Sequence, residues 1–303
     1  MTPVVAALDV GGTGMKCALV AADGRVWHAE RHPTEASRGP DAVVATICEV
    51  ADGLVGKARA DGLEAVAVGV AVPGVVDEAA GVAVWSANIG FRDVPLRDVI
   101  SERLGLPAAI GHDVRAGGIA EARLGAGAGE RHVLFAAIGT GIAAAHVVDG
   151  VASAGAHGAA GEIGHIVVRP GGARCGCGQH GCLEAVASAA AIARQYGAAT
   201  GVPVAGAAEV AARAHAGDEA AAAVWNAAVD ALADGLLIGQ ALYDVAVIVV
   251  GGGLAQAGDQ LLDPLRAALR SRYTFHREPR LVRAALGDEA GCLGAGLLAL
   301  EVS

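Results

Sequence analysis

The chain has 303 residues, enough for one large domain or two medium ones, and 54% are hydrophobic while only 3% are aromatic, so Ala, Val and Leu must build most of the core. A formal net charge of −10 with no basic cluster argues against nucleic-acid binding, which needs a cationic footprint. The start, MTPVVAALDVGG, lacks the charged segment and cleavage site of a signal peptide, and a cytoplasmic location is expected.

Val4 to Val10 and Met15 to Val20 are apolar runs separated by small residues, which predicts a tight β-hairpin, with a third strand at Val26 to Arg31. Residues 41–60 carry apolar positions at helical spacing, and Ala65 to Val72 reads as a buried strand closed by Pro73-Gly74. A helix near 95–104, a strand at 107–111 and a helix at 114–124 follow. The second half repeats the logic. Val133 to Ile138 and Ile142 to Val148 form a hairpin around Gly139-Thr140-Gly141. Helices are expected at 183–196, 207–215 and 218–243, a strand at 245–250, and helices at 259–270 and 289–301. The apolar run ALADGLLIGQALYDVAVIVV is broken by Asp234, Gly239 and Asp244, so it reads as helix then strand rather than a membrane span. Alternating strands and helices make the fold α/β, and the two glycine hairpins hint at a duplicated architecture. The domain boundary is expected near Gly111, giving a smaller domain over 1–111, joined by the last helix at about 288–303, and a larger one over 112–287.

Three strand ends carry glycine clusters: Asp9-Val-Gly11-Gly12-Thr13, Gly139-Thr140-Gly141 and Gly251-Gly252-Gly253. Glycine lets backbone N–H groups approach phosphate oxygens, Thr hydroxyls add donors, and Asp9 is available to hold hydrated Mg2+. Plain hairpin chemistry accounts for any one such turn; three together point to a nucleotide. No GxxxxGK[ST] occurs. Residues 139–144 match the dinucleotide pattern GxGxxA, but that pattern must open a helix and IAAAHVVDG reads as strand.

The segment 161–184, GEIGHIVVRPGGARCGCGQHGCLE, holds a second signal. His165, Cys175, Cys177 and Cys182 form a Cys3His donor set suited to tetrahedral zinc, beside the carboxylates Glu162 and Glu184. The alternative is three unligated buried thiols. Cys17, Cys48 and Cys292 stand alone and read as small buried hydrophobes.

DVGGTGMK at 9–16, HDVRAGGIAE at 112–121, AIGTGI at 137–142, GEIGH at 161–165, CGCGQHGCLE at 175–184 and VIVVGGG at 247–253 together resemble the ROK family of sugar kinases and repressors, within the actin-like ATPase superfamily. The resemblance spans nearly the whole chain. It implies two actin-like (ribonuclease H-like) domains flanking a cleft, with a zinc loop at 165–182, and a homodimer or dimer of dimers. Carried over by position, Asp113 is the catalytic base. Gly74, Asn88, His112, Asp113, Glu162, His165 and Glu184 are the sugar ligands. Asp9, Gly11, Gly12, Thr13, Lys16, Gly139, Thr140, Gly141, Gly251, Gly252 and Gly253 contact ATP. His165, Cys175, Cys177 and Cys182 hold structural Zn2+.

Chemistry agrees with this assignment, because a sugar hydroxyl needs a base and a polyol needs several fixed donors and acceptors. Asp113 also reads as a helix N-cap, being placed just before a helical run. The expected activity is ATP- and Mg2+-dependent phosphorylation of a hexose, foremost glucose at its 6-hydroxyl. An N-acetylhexosamine (GlcNAc or ManNAc) kinase and a non-catalytic sugar sensor are the alternatives. This chain departs from the family where His112 replaces the usual Asn before Asp113, where Arg115 replaces a frequent Asn, and where Phe91 replaces a Trp; which hexose fits is thereby left open.

Overall fold

The computed structural model describes all residues, Met1–Ser303. In chain order, β1 (Thr2–Val10), β2 (Gly14–Val20) and β3 (Val26–Pro33) lead to α1 (Pro40–Ala60) and β4 (Leu63–Val72). Three short strands follow, β5 (Val75–Asp77), β6 (Val82–Trp85) and β7 (Arg92–Val94), then α2 (Leu96–Leu104), β8 (Ala108–His112) and α3 (Asp113–Arg123). The next elements are β9 (His132–Ile138), β10 (Ile142–Val148), β11 (Val151–Ala152), α4 (Leu183–Ala187), α5 (Ala189–Thr200), α6 (Ala207–His215) and α7 (Glu219–Tyr243). The chain ends with β12 (Val247–Gly251), α8 (Asp259–Arg270), β13 (Arg280–Arg283) and α9 (Ala290–Leu300). The fold is α/β with mixed sheets.

The chain divides into two compact units: residues 1–124, 150–160 and 288–303 form unit 1, and residues 125–149 and 161–287 form unit 2. Unit 1 holds a five-stranded sheet of order β3-β2-β1-β4-β8, in which β1 runs antiparallel to β2 and parallel to β4, and β4 parallel to β8. Unit 2 repeats that scheme as β10-β9-β12-β13, with β9 antiparallel to β10 and parallel to β12, and β12 parallel to β13. Parallel neighbours need helical crossovers, which is why apolar runs such as Val4 to Leu8 and Val247 to Val250 are buried on both faces.

With few aromatics, the core of unit 1 closes by bringing backbones together. Helix α9 packs on β1, β4 and α3. A Cβ at Gly294 would lie 2.0 Å from the Ala116 carbonyl oxygen, and one at Gly69 would lie 1.9 Å from that of Ala295, so only glycine permits these approaches. In unit 2, α7 is long and apolar enough to cross a membrane by length and composition. Its apolar face instead lies in the core with Leu134, Leu183, Ile248 and Leu265. Pro264 sits inside α8 and cannot bond the carbonyl of Gln260; the Trp225 Nε1 donates to that oxygen at 3.2 Å and satisfies it.

Three expectations change. The helix expected over 183–196 breaks at Ser188, whose Oγ accepts from Ala191 N at 3.1 Å and starts α5 afresh. The strands β5, β6 and β7 and the edge strand β13 are new, because three or four residues leave too short a period to read. The expected strand at 245–250 is shifted to Val247–Gly251, since Gln240 takes the Val245 N–H at 3.2 Å.

Candidate active site

In unit 1 the site grows from the ends of β1, β4 and β8. Antiparallel register places Asp9 opposite Lys16, and Lys16 Nζ lies 3.7 Å from Asp9 Oδ2 and 3.8 Å from Asp288 Oδ1. The start of α9 closes over this carboxylate so tightly that a Cβ at Gly291 would lie 2.5 Å from Asp9 Oδ2. Burial first, then the nearby Asp113 and Asp288 charges, push the Asp9 carboxyl up to about 6, with Lys16 opposing. A carboxylate so placed gains by exchanging its proton for a cation. The turn that follows is tied from inside, Gly11 N donating to Gly14 O at 2.9 Å and Thr34 Oγ1 to Gly11 O at 2.6 Å. The fully buried Thr34 also donates its N–H to Thr13 O at 3.2 Å. Nothing in the sequence marked Thr34; it is a lone threonine at a strand exit.

Gly12 abuts Asn88, a Cβ there falling 3.1 Å from the Asn88 Cβ. Asn88 is exposed on the turn between β6 and β7, which Gly90 N closes onto Ser86 O at 2.8 Å. Gly74, just past β4, has φ +104°, and a Cβ would strike the Trp85 carbonyl at 2.1 Å. β8 ends on His112, which is 5% exposed, and Asp113 is the first residue of α3. His112 Nε2 lies 3.3 Å from Asp113 Oδ1, which also accepts from Val114 N at 2.7 Å. The N-cap position belongs to His112, not Asp113, and no side chain of that residue bonds the helix start. Arg115 is 2% exposed and bonded to Glu78 Oε1 at 2.8 Å and Gly158 O at 2.9 Å, so it is framework within unit 1.

In unit 2 the turn at 139–141 is closed by Gly139 N donating to Gly141 O at 2.9 Å. Gly139 O accepts from Ala189 N at 2.8 Å, so the break at Ser188 delivers the start of α5 to this turn. Glu184 Oε2 accepts from Ile142 N at 2.9 Å, and a Cβ at Gly141 would lie 2.7 Å from that oxygen. One oxygen of Glu184 therefore braces the turn. Beyond β12, Gly252 has φ +77° and sits on the Ile138 backbone, where a Cβ would approach within 2.5 Å. The second and third glycine clusters are thus neighbours.

The 161–184 segment gathers its four donors. One ligand atom from each of His165, Cys175, Cys177 and Cys182 lies within 4.8 Å of the others. The Cys177 and Cys182 sulfurs are 3.7 Å apart and His165 Nδ1 is 3.6 Å from Cys175 Sγ. Tetrahedral zinc with Zn–S bonds of about 2.3 Å needs sulfurs separated by about 3.8 Å, so the set fits such an ion. Backbone bonds from Val168 and Arg169 to Gly181 O, at 2.9 and 3.0 Å, fold the loop back on itself. Burial, with Cys177 and Cys175 alongside, pushes the Cys182 thiol up to about 12, whereas the Gln179 backbone N–H holds Cys177 below the usual range. A bound cation reverses the first of these. Because His165 turns Nδ1 to the cysteines, Nε2 faces the other way, 3.8 Å from Glu162 Oε2. Glu162 and His165 side chains are 40% and 34% exposed, open enough to meet a ligand.

The ROK family model matches residues 5–302. The chain is 33% identical to a glucokinase of Thermotoga maritima over 97% of its length and 96% of that relative's. It is 32% identical to an N-acetylmannosamine kinase of Citrobacter koseri, covering 97% of each chain. It superposes with a TM-score of 0.83 on a ROK glucokinase from Streptomyces griseus solved with glucose and AMPPNP, at 29% identity over 98% of this chain and 99% of that one. The resemblance carried by the sequence motifs is borne out.

Proposed function

Because the chain belongs to the ROK family, we propose that it is an ATP-dependent hexose kinase that phosphorylates the 6-hydroxyl of glucose, with Asp113 as general base. The observation that carries the reading is the geometry of Asp113. Its side chain is 30% exposed, it opens α3 without being the N-cap, and both of its contacts fall on Oδ1. Oδ2 is left to take the hydroxyl proton as the sugar oxygen attacks the γ-phosphorus and the bond to the ADP oxygen breaks.

In this reading Gly74, Asn88 and His112 of unit 1 and Glu162, His165 and Glu184 of unit 2 are the sugar ligands. The glycine turns at 11–13, 139–141 and 251–253, with Thr13, Thr140 and Lys16, hold ATP. Asp9 would hold Mg2+, which shields phosphate charge when bound. His165, Cys175, Cys177 and Cys182 would hold Zn2+ in a structural place, where the ion would fix the His165 ring and leave Nε2 to meet a sugar hydroxyl. The repeated strand scheme of the two units supports an actin-like pair of domains. A cytoplasmic homodimer completes the reading.

An N-acetylhexosamine kinase is the second reading, favoured by relatives of that activity at the same level of identity. A coupled assay with ATP and glucose, mannose, GlcNAc, ManNAc, allose and fructose separates them. Highest kcat/KM with glucose is expected; a preference for an N-acetylated sugar transfers the assignment, and turnover of none leaves a sugar sensor.

A further inference from the structure

The corner between β8 and α3, which delivers Asp113, is held by two charged side chains, Glu78 and Arg115. Glu78 follows β5, and its Oε1 accepts from His112 N at 3.2 Å and from Arg115 Nε at 2.8 Å. Arg115, two residues past Asp113 and 2% exposed, is fixed in turn by its Nη1 bond to Gly158 O at 2.9 Å. A helix start leaves backbone N–H groups that need acceptors, and a carboxylate at the head of the helix is an ordinary supplier. Here the N-cap residue His112 has no side-chain cap bond. Its own N–H is instead taken by Glu78 from outside the helix, as the returning half of a capping box does from within. The negative charge also faces the positive end of the α3 dipole.

Resting on the reading of Asp113 as the base, we propose that Glu78, clamped by Arg115, is a positioning residue that takes over acceptor duty at the start of α3 and so leaves Asp113 Oδ2 free for the sugar proton. The guanidinium holds the arrangement in place, because it is buried and its position is set by the Glu78 and Gly158 bonds. Without Glu78, the orphaned N–H groups compete for the Asp113 carboxylate and rotate it away from the hydroxyl.

The test is steady-state kinetics of Glu78→Ala and Glu78→Gln, with hexose affinity from calorimetry and thermal melts alongside. Misplacing a reacting group by about 1 Å costs up to about a hundredfold. Glu78→Ala is therefore expected to lower kcat by about tenfold or more with hexose Kd within about twofold. Glu78→Gln, which keeps an acceptor for His112 N–H, should recover most of the loss. If both variants lower the melting temperature and leave kcat unchanged, the pair is only structural and the proposal is overturned. The same substitution on an Asp113→Asn background should cost nothing further, whereas a multiplicative loss overturns it. If Asp113→Asn alone keeps full turnover, it is the base assignment that fails, a result distinct from either of these. Should Glu78→Ala not fold, the comparison runs with Glu78→Gln and the paired Glu78→Gln/Arg115→Met variant, since removing both charges avoids an unpaired buried ion.

Discussion

The hairpins β1–β2 and β9–β10 open their sheets in the same way, strand, glycine turn, antiparallel strand, yet they are braced by opposite means. Two residues before its first glycine, unit 1 has Asp9 and unit 2 has Ala137. Around the first turn the structure gathers acid: Asp9 is buried and feels the Asp113 and Asp288 charges, with Lys16 as partial relief and Arg31 paired to Asp288 from the outside. Around the second it uses hydrogen bonds, Ile142 N to Glu184 Oε2 and Ala189 N to Gly139 O. The quartet Arg169, Asp230, Asp234 and Arg272 then ties the cysteine loop to α7 and the end of α8. A duplicated topology has thus been divided by chemistry. One copy holds a buried carboxyl whose charged form is disfavoured, and the other is stiffened by hydrogen bonds; in the proposed reading the first serves proton and cation exchange and the second holds ligands.

The sharpest way to break this contrast is Asp113→Asn. Removing a general base costs about 10²–10⁴ in kcat. Glucose affinity should stay near the parent value, because the neutral amide still donates and accepts. Titration calorimetry with glucose beside the coupled assay checks both halves, and unchanged turnover would place the chemistry elsewhere.

Asp9→Asn asks whether the buried carboxyl of unit 1 is disfavoured in its charged form. The Asp9 carboxyl is raised from 3.8 to about 6 in the folded chain, so folding binds a proton more tightly than the unfolded chain does. Stability therefore falls as pH rises between about 4 and about 6 and stays lower above that, by about 3 kcal/mol for a shift of this size. The asparagine variant should lose phosphotransfer yet gain that stability at pH 8, with the gain shrinking toward zero as pH drops to about 4. Denaturant melts at the two pH values test this; an equal gain at both, or a loss at pH 8, would refute the buried-carboxyl account.

Much of this was legible from residue types. Long apolar runs gave their strands within a residue or two, and the glycine clusters marked the strand ends, though close backbone approach demands glycine only at Gly252, where a Cβ would lie 2.5 Å from Ile138 O. The His165, Cys175, Cys177 and Cys182 set was legible because few other arrangements ask for three thiols and an imidazole on one glycine-rich loop. What stayed hidden were residues that act through partners far away in sequence. Glu78 reads as turn charge until its bonds to His112 and Arg115 are seen, and Thr34 as an ordinary strand exit. The break at Ser188 was hidden for a related reason: Leu183 to Tyr196 has unbroken helical spacing, and only the Gly139 carbonyl reveals why the chain restarts there.

The smallest effect is expected from the stiffened unit, and it decides whether stiffness serves binding. Cys177 is the exposed member of its donor set, so Cys177→Ser removes a ligand with little disturbance of the core. In the zinc reading, elemental analysis should find the metal lost or bound substoichiometrically. His165 then loses the anchor on Nδ1, its ring and tautomer are no longer fixed, and Nε2 meets the sugar less often. Losing such an orienting contact costs about 10–100-fold in the supported interaction, so glucose KM should rise by a factor in that range while kcat at saturating glucose changes far less. The opposite split, kcat down with KM unmoved, would mean that the loop reaches the transferring phosphate rather than the sugar. Metal lost with both constants intact would make the loop a fold-stabilising staple, and unit 2 would then owe its sugar contacts to Glu162 and Glu184 alone.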